Sequence, residues 1–239
     1  MSTLIRQFPS AQFSGSVILD LEPPIAFPAA TLGAYRLRNS AAYSAAPRAG
    51  SWPSVAVVDT GADPTFTPYS AQTNAGKTLG ITGQNMPSGN LTILTVSRQR
   101  TISGGGALQW LGGSAVSGSS SYGVVRSKDS LNAALSINGS TYAQLSPAGG
   151  DRWEALFAVF NVTGTQGSLY RPRTDTTVTA TIPTPGIPSS AIRVLGNSLH
   201  TAPAEGALVA FITGALSKAE MDALYSSAKA SLAVSGIDI

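Results

Sequence analysis

From residue 32 onward the chain never runs far before it is broken. Strand-length apolar or alternating stretches stop at glycine, proline, serine or asparagine and then start again. About eleven such runs can be counted by this pattern. They are GAYRLR (33–38), SVAVVD (54–59), NLTILTVSR (90–98), ALQWLG (107–112), YGVVRS (122–127) and LNAALSING (131–139). EALFAVFNV (154–162), GSLYR (167–171), TTVTATI (176–182), AIRVLG (191–196) and GALVAFI (206–212) complete the series. Punctuation this dense suits short strands joined by turns and leaves no room for a helical bundle. In the run 90–98, Leu91, Ile93 and Thr95 alternate with Thr92, Leu94 and Val96, so both faces are fairly apolar. That is expected of a strand inside a layered structure, and so many strands predict a sandwich or jelly roll.

The period changes once, near the end. In ALSKAEMDALYSSAKASLAVSG, Ser217 is followed three positions later by Glu220, the spacing of a capping box. Met221, Leu224, Tyr225, Ala228 and Leu232 then form one apolar stripe, and Gly236 supplies a stop. The pattern predicts one helix over about 218–233. At the other end, LDLEPPIAFPAATLG carries three prolines that remove ladder donors. Residues 1–31 therefore read as an extended arm, and 32–239 as the sandwich.

Only 11% of the 239 residues are charged, against about 25% in an ordinary soluble domain. A surface so poor in charge is either buried against other subunits or covered with hydroxyls and backbone. The net charge of +3 arises from 15 Lys and Arg against 12 acids, with no basic run to follow a phosphate backbone. Nucleic acid is therefore not an expected partner. The absence of cysteine excludes disulfide scaffolds, cysteine–zinc sites and cysteine nucleophiles. MSTLIRQFPSAQFSGS lacks the pattern of a signal peptide, and no 18-residue apolar run exists. The expectation is synthesis in the cytoplasm without membrane insertion.

The C-terminal third carries a resemblance. DRWEALFAVFNVTGTQGSLY, followed by IRVLGNSLHTAPAEGALVAFITGALSKAEMDALY, resembles the laminin-G-like, concanavalin-A-like jelly rolls. The residues that match are Trp153, Leu169, Tyr170, Leu195, Gly196, Asn197 and the run 214–217, then Glu220, Met221, Leu224 and Tyr225. The match covers about residues 90–235. It implies a two-sheet concanavalin-A-like jelly-roll sandwich, all-β except for the closing helix. Relatives with a ligand role often have LYVDG where this chain has LYRPRTD, so Arg171 and Arg173 make that hairpin positively charged.

One stretch points elsewhere. VAVVDTGADP (55–64) resembles the active-site turn of retroviral-type aspartic proteases. Such enzymes need two carboxylates sharing a proton, and this chain has one Asp-Thr-Gly, so Asp59 would require a dimer. The glycine-containing element nearest in type, Val194-Leu195-Gly196, already belongs to the jelly-roll ending. Asp and Gly are also ordinary where a strand enters a turn. His200 stands alone in a Ser/Thr/Pro loop, and the acids never form the clustered pair that glycoside hydrolysis requires. The expectation is that the chain is not an enzyme.

The candidate ligand residues are Trp110 and Tyr122, beside a Gly/Ser-rich run, together with Arg171 and Arg173. Asp59 and Asp63 could supply oxygen to calcium; no other cofactor is expected. The resemblance implies a structural component of a phage virion, at the tail, baseplate or capsid surface. Its partners would be other virion proteins and copies of itself, as a trimer, with host surface polysaccharide as a possible ligand. The alternatives are a monomeric carbohydrate-binding module and a dimeric aspartic protease using Asp59.

Overall fold

A computed structural model describes residues 22–59, 61–74, 77–87, 89–115, 121–183 and 191–239. Its strands, in chain order, begin with β1 (Thr31–Arg36), β2 (Ala49–Gly50), β3 (Ala56–Val58), β4 (Thr65–Phe66), β5 (Ala71–Gln72) and β6 (Thr78–Ile81). The long central strands are β7 (Leu91–Gln99), β8 (Leu108–Ala115), β9 (Ser121–Ser127), β10 (Ala133–Ile137), β11 (Ser140–Leu145) and β12 (Arg152–Asn161). The series ends with β13 (Gln166–Arg171), β14 (Thr176–Thr181), β15 (Ile192–Leu195) and β16 (Glu205–Thr213). Among the described residues two α-helices accompany them, a short α1 (Ala41–Ala45) and the closing α2 (Lys218–Ala233).

Two antiparallel sheets result. One follows the order β14-β13-β12-β7-β16-β1-β2, with β5 and β4 branching from β16; the other is β11-β10-β9-β8-β15-β6-β3. This is the two-sheet jelly-roll sandwich with a C-terminal helix that the sequence predicts. All eleven expected runs became strands. Short pieces such as β2, β4 and β5 escaped because two residues show no period, and β6 because Gly80 interrupts it.

The alternation in β7 is used on both faces. Leu91 and Ile93 enter the core between the sheets with Leu156, Phe160, Val209 and Phe211. Leu94 and Val96 face outward and pack with Phe157, Leu208 and Ile212 beneath Met221, Leu224, Ala228 and Leu232 of α2. The helix thus forms a third layer over the first sheet. Its start is the expected capping box: Glu220 N donates to Ser217 Oγ, and Ser217 N donates to Glu220 Oε2 at 2.7 Å. Beyond the helix, Ile237 and Ile239 turn back into the same cluster.

Toward one end the space between the sheets becomes polar. Arg126, Glu154 and Arg171 share the inward faces of β9, β12 and β13. Arg126 Nη2 lies 2.5 Å from Glu154 Oε2, and Arg171 Nε donates to Glu154 Oε1. Two further donors go to carbonyls, Arg126 Nη1 to Arg98 and Arg171 Nη2 to Ser146, while Arg126 Nε is buried without a hydrogen-bond partner among the described residues. This bridge ties the two sheets together across their interior.

The first 21 residues of the expected arm lie outside the described residues. The rest of it packs on its own sandwich: Ile25 and Phe27 join the cluster under α2, and Ala26 N donates to Ser227 Oγ at 2.6 Å. Glu22 accepts from Arg36 Nη2 at 3.1 Å and Arg38 Nη1 at 2.7 Å. Among the described residues no helix is long and apolar enough to cross a membrane.

Candidate ligand-binding site

The outer face of the first sheet is not wholly covered by α2. Beyond the helix C-terminus a groove of about 510 Å³ remains, within the size range of sugar and small-molecule sites. Residues 67–70 form one wall, residues 234–237 the other, and Arg98, Trp153 and Glu205 the floor.

Strand register brings the floor together. Trp153 sits directly opposite Arg98 across the β12–β7 pair, while Gly206 pairs with Ser97 of β7. Glu205 pairs with Gln72 of β5, which places the preceding turn beside it. That turn is held by Thr67: its hydroxyl accepts from Tyr69 N at 3.1 Å and Ser70 N at 2.9 Å. Arg36 Nη1 holds the Tyr69 carbonyl at 3.2 Å, so the backbone is fixed while the ring stays 50% exposed. Opposite it, Val234 is 57% exposed at the end of the helix. Among the described residues three large hydrophobics are exposed, and two of them rim this groove.

Its polar groups are preorganised. Glu205 is buried; Oε1 accepts from Ser70 Oγ at 2.8 Å, and Oε2 lies 2.7 Å from Arg100 Nη2 and 3.9 Å from Arg98 Nη1. Arg98 gives Nε and Nη2 to the two oxygens of Asp151, at 2.7 and 3.2 Å. Its guanidinium plane is therefore fixed, with Nη1 turned toward Glu205. Tyr69 and Trp153 provide ring surface, and the partly exposed Arg98 provides a charged group beside it. Rings for the C–H face of a sugar and fixed charges for its hydroxyls are what a saccharide requires.

None of the residues expected from sequence lines this groove. Trp110 is 0% exposed: it lies over Gly113 and Gly123, where an added Cβ would meet its Cζ2 at 2.7 and 2.6 Å. His200 covers its other face, stacked at 5.3 Å with an interplanar angle of 12°. Burial lowers the imidazole pKa of His200, which favours the neutral ring. Trp110 therefore has no face for a sugar. Tyr122 is core, packed on Phe160 at 4.0 Å, and burial raises its phenol pKa. Arg171 is the buried bridge to Glu154, not a surface cation. Arg173 is partly exposed but pairs with Asp238 at 2.8 Å.

The calcium pair does not converge either. Asp59 takes two bonds from Arg193, Nη2 at 2.7 Å and Nε at 3.0 Å, and a third from Thr78 Oγ1 at 2.7 Å. Asp63 pairs with Lys77 at 2.7 Å. Among the described residues no three His, Cys, Asp or Glu side chains gather as metal ligands. The same contacts answer the protease resemblance. Asp59, in left-handed backbone at φ 66°, bolts the end of β3 to β15 and β6, with its oxygens occupied by a cation. Val194 and Leu195 of the hydrophobic-Gly element lie in β15 itself, packed in the core between the sheets.

No protein-family model and no curated protein matches the sequence. Solved structures do match in fold. Trypanosoma rangeli sialidase, in its covalent complex with 2,3-difluorosialic acid, superposes with a TM-score of 0.59 at 13% identity. The alignment covers 84% of this chain and 33% of the sialidase. The binding domain of botulinum neurotoxin DC, in complex with SialylT, gives 0.58 at 14% identity over 83% of this chain and 51% of that one. The sandwich fold is shared. At these identities nothing beyond the fold follows, and this chain spans about a third to a half of the proteins it matches. The likeness does overturn one expectation from sequence, that the chain is not an enzyme, because sialidases carry this fold and the fold does not set the chain apart from enzymes.

Proposed function

We propose that this chain is a lectin-like, carbohydrate-binding component of a phage virion, at the tail, baseplate or capsid surface, and that the groove takes host surface polysaccharide. The observation that carries the sugar reading is the groove itself: Tyr69 and Trp153 flank a fixed Arg98–Glu205 pair on an open face of the sandwich. The fold supports it, since solved structures of the same fold were determined with sialic acid and with SialylT bound. The virion reading is supported by the resemblance of the sequence ending and by the charge-poor composition, which suits packing between virion subunits.

The test is a glycan panel followed by calorimetry on the full chain and on Tyr69→Ala. The Tyr69 ring is exposed, so the variant should fold normally. Loss of a stacking ring is expected to weaken binding about tenfold, equivalent to about 1.4 kcal/mol. Unchanged affinity in Tyr69→Ala, or no glycan ligand for the parent, would sink the assignment. Because enzymes share the fold, released sugar is measured in the same samples.

A further inference from the structure

The ends of the two sheets are not alike. β2, β3 and β4 are outer strands of two or three residues, too short to template another strand. The outer strand β11 is longer, but its ladder to β10 is interrupted, and Ala143 sits at φ 45°. Such irregularity discourages edge pairing. β14 has none of these protections. It is six residues long, its register with β13 is continuous from Thr176 to Thr181, and none of its residues has positive φ. Its sequence, TTVTAT, holds no charge and no proline. Among the described residues no strand pairs with its outer side.

An open, regular, uncharged edge presents unpaired N–H and C=O groups to any strand of matching pattern. β14 matches itself. Thr177, Thr179 and Thr181 are exposed on one face, while Val178 and Ala180 face the core. In an antiparallel pair, residues directly opposite share a face. Two copies related by a two-fold axis at Thr179 would set Thr179 against Thr179 and Thr177 against Thr181. Val178 would face Ala180, continuing the core. This register pairs the three exposed threonines among themselves and leaves the turn at residues 171–175 outside the ladder. β-Branched threonine pairs are among the favourable cross-strand neighbours.

We infer that β14 is a homodimerisation edge, joining the first sheets of two copies of this chain into one continuous antiparallel sheet across a two-fold axis. The interface is separate from the Tyr69 groove and stands whether or not that groove binds sugar.

The chain has no cysteine, so Thr179→Cys introduces a single thiol at the proposed axis. Directly opposite Cα atoms in such a pair are about 4.5–5.5 Å apart, within disulfide range. The expected result is rapid oxidation to a covalent dimer, at least tenfold faster than in the control Ala219→Cys, which places an exposed thiol on α2. By light scattering, the parent should have twice the 24.3 kDa chain mass, and Thr179→Lys, which sets like charges face to face, should be monomeric. A monomeric parent at the highest soluble concentration would overturn the inference. So would a dimer indifferent to Thr179→Lys, or equal crosslinking at residues 179 and 219.

Discussion

Glu154→Gln tests the interior bridge most severely. The substitution keeps the shape of the side chain and deletes the charge that Arg126 and Arg171 share. Arg126 is fully enclosed between the sheets, and burial already lowers its pKa against the opposing effect of Glu154. Without that carboxylate, two guanidiniums remain in the interior with only carbonyls as partners. Removing one member of a buried ion pair costs about 3–5 kcal/mol. For a domain of this size each kcal/mol shifts Tm by about 2–4 °C, so the expected loss is roughly 6–20 °C. Thermal melts followed by circular dichroism at pH 7 measure it directly. Replacing Arg126, Glu154 and Arg171 together by Met, Leu and Met should recover most of that loss, because no charge is then stranded. A shift below about 2 °C for Glu154→Gln would refute the reasoning, since it would mean that both guanidiniums reach water.

His200 is the only histidine in the chain, so its titration can be followed alone. Its folded pKa is depressed by burial; the unfolded chain therefore takes up the proton first. Its contribution is present above about pH 6.5 and is lost as pH falls through the folded pKa. NMR of the imidazole should show the lowered value, and melts of His200→Gln should lose that part of the acid dependence. Asp59→Asn leaves Arg193 without its carboxylate in a partly buried site and should cost about 2–3 kcal/mol in urea unfolding. Any proteolysis that disappears in this variant while stability is unchanged would contradict the bolt. Gly123→Ala drives a methyl into Trp110 and the Gly112 carbonyl, 2.6 and 2.4 Å from the added carbon. Overpacking of this kind should cost about 3 kcal/mol, read as a fall in Tm. Leu224→Ala should cost about 2–5 kcal/mol by leaving a void between α2 and the first sheet.

The groove shows why site residues were less legible than strands. Trp153 was visible only as the opening of a β-strand, Arg98 as the end of a run, and Glu205 as an isolated acid after a loop. Tyr69 lies in Thr-Pro-Tyr-Ser, a turn with no chemistry of its own. The one available signal was that Arg98 and Arg100 stand at a strand end in a chain otherwise poor in charge. Conversely, Trp110 beside a glycine-rich run looked like a sugar platform. The same glycines were needed so that its ring could lie flat on the sheet beneath His200.

What the sequence determined alone is what short-range physics writes into it. The period-two runs became strands, the two apolar faces of β7 found a core on each side, and Ser217 with Glu220 started the helix. Those features depend on neighbours within a few residues, so local pattern is sufficient. The tertiary structure alone decided which distant residues meet. Asp59 became a bolt because β15 delivers Arg193 from 134 positions away. Ser70 and Glu205, 135 positions apart, meet because β5 pairs with β16. β14 became an edge among the described residues because it took the last place in its sheet. Strand order and register arise from packing the whole chain at once, and no window of sequence contains them.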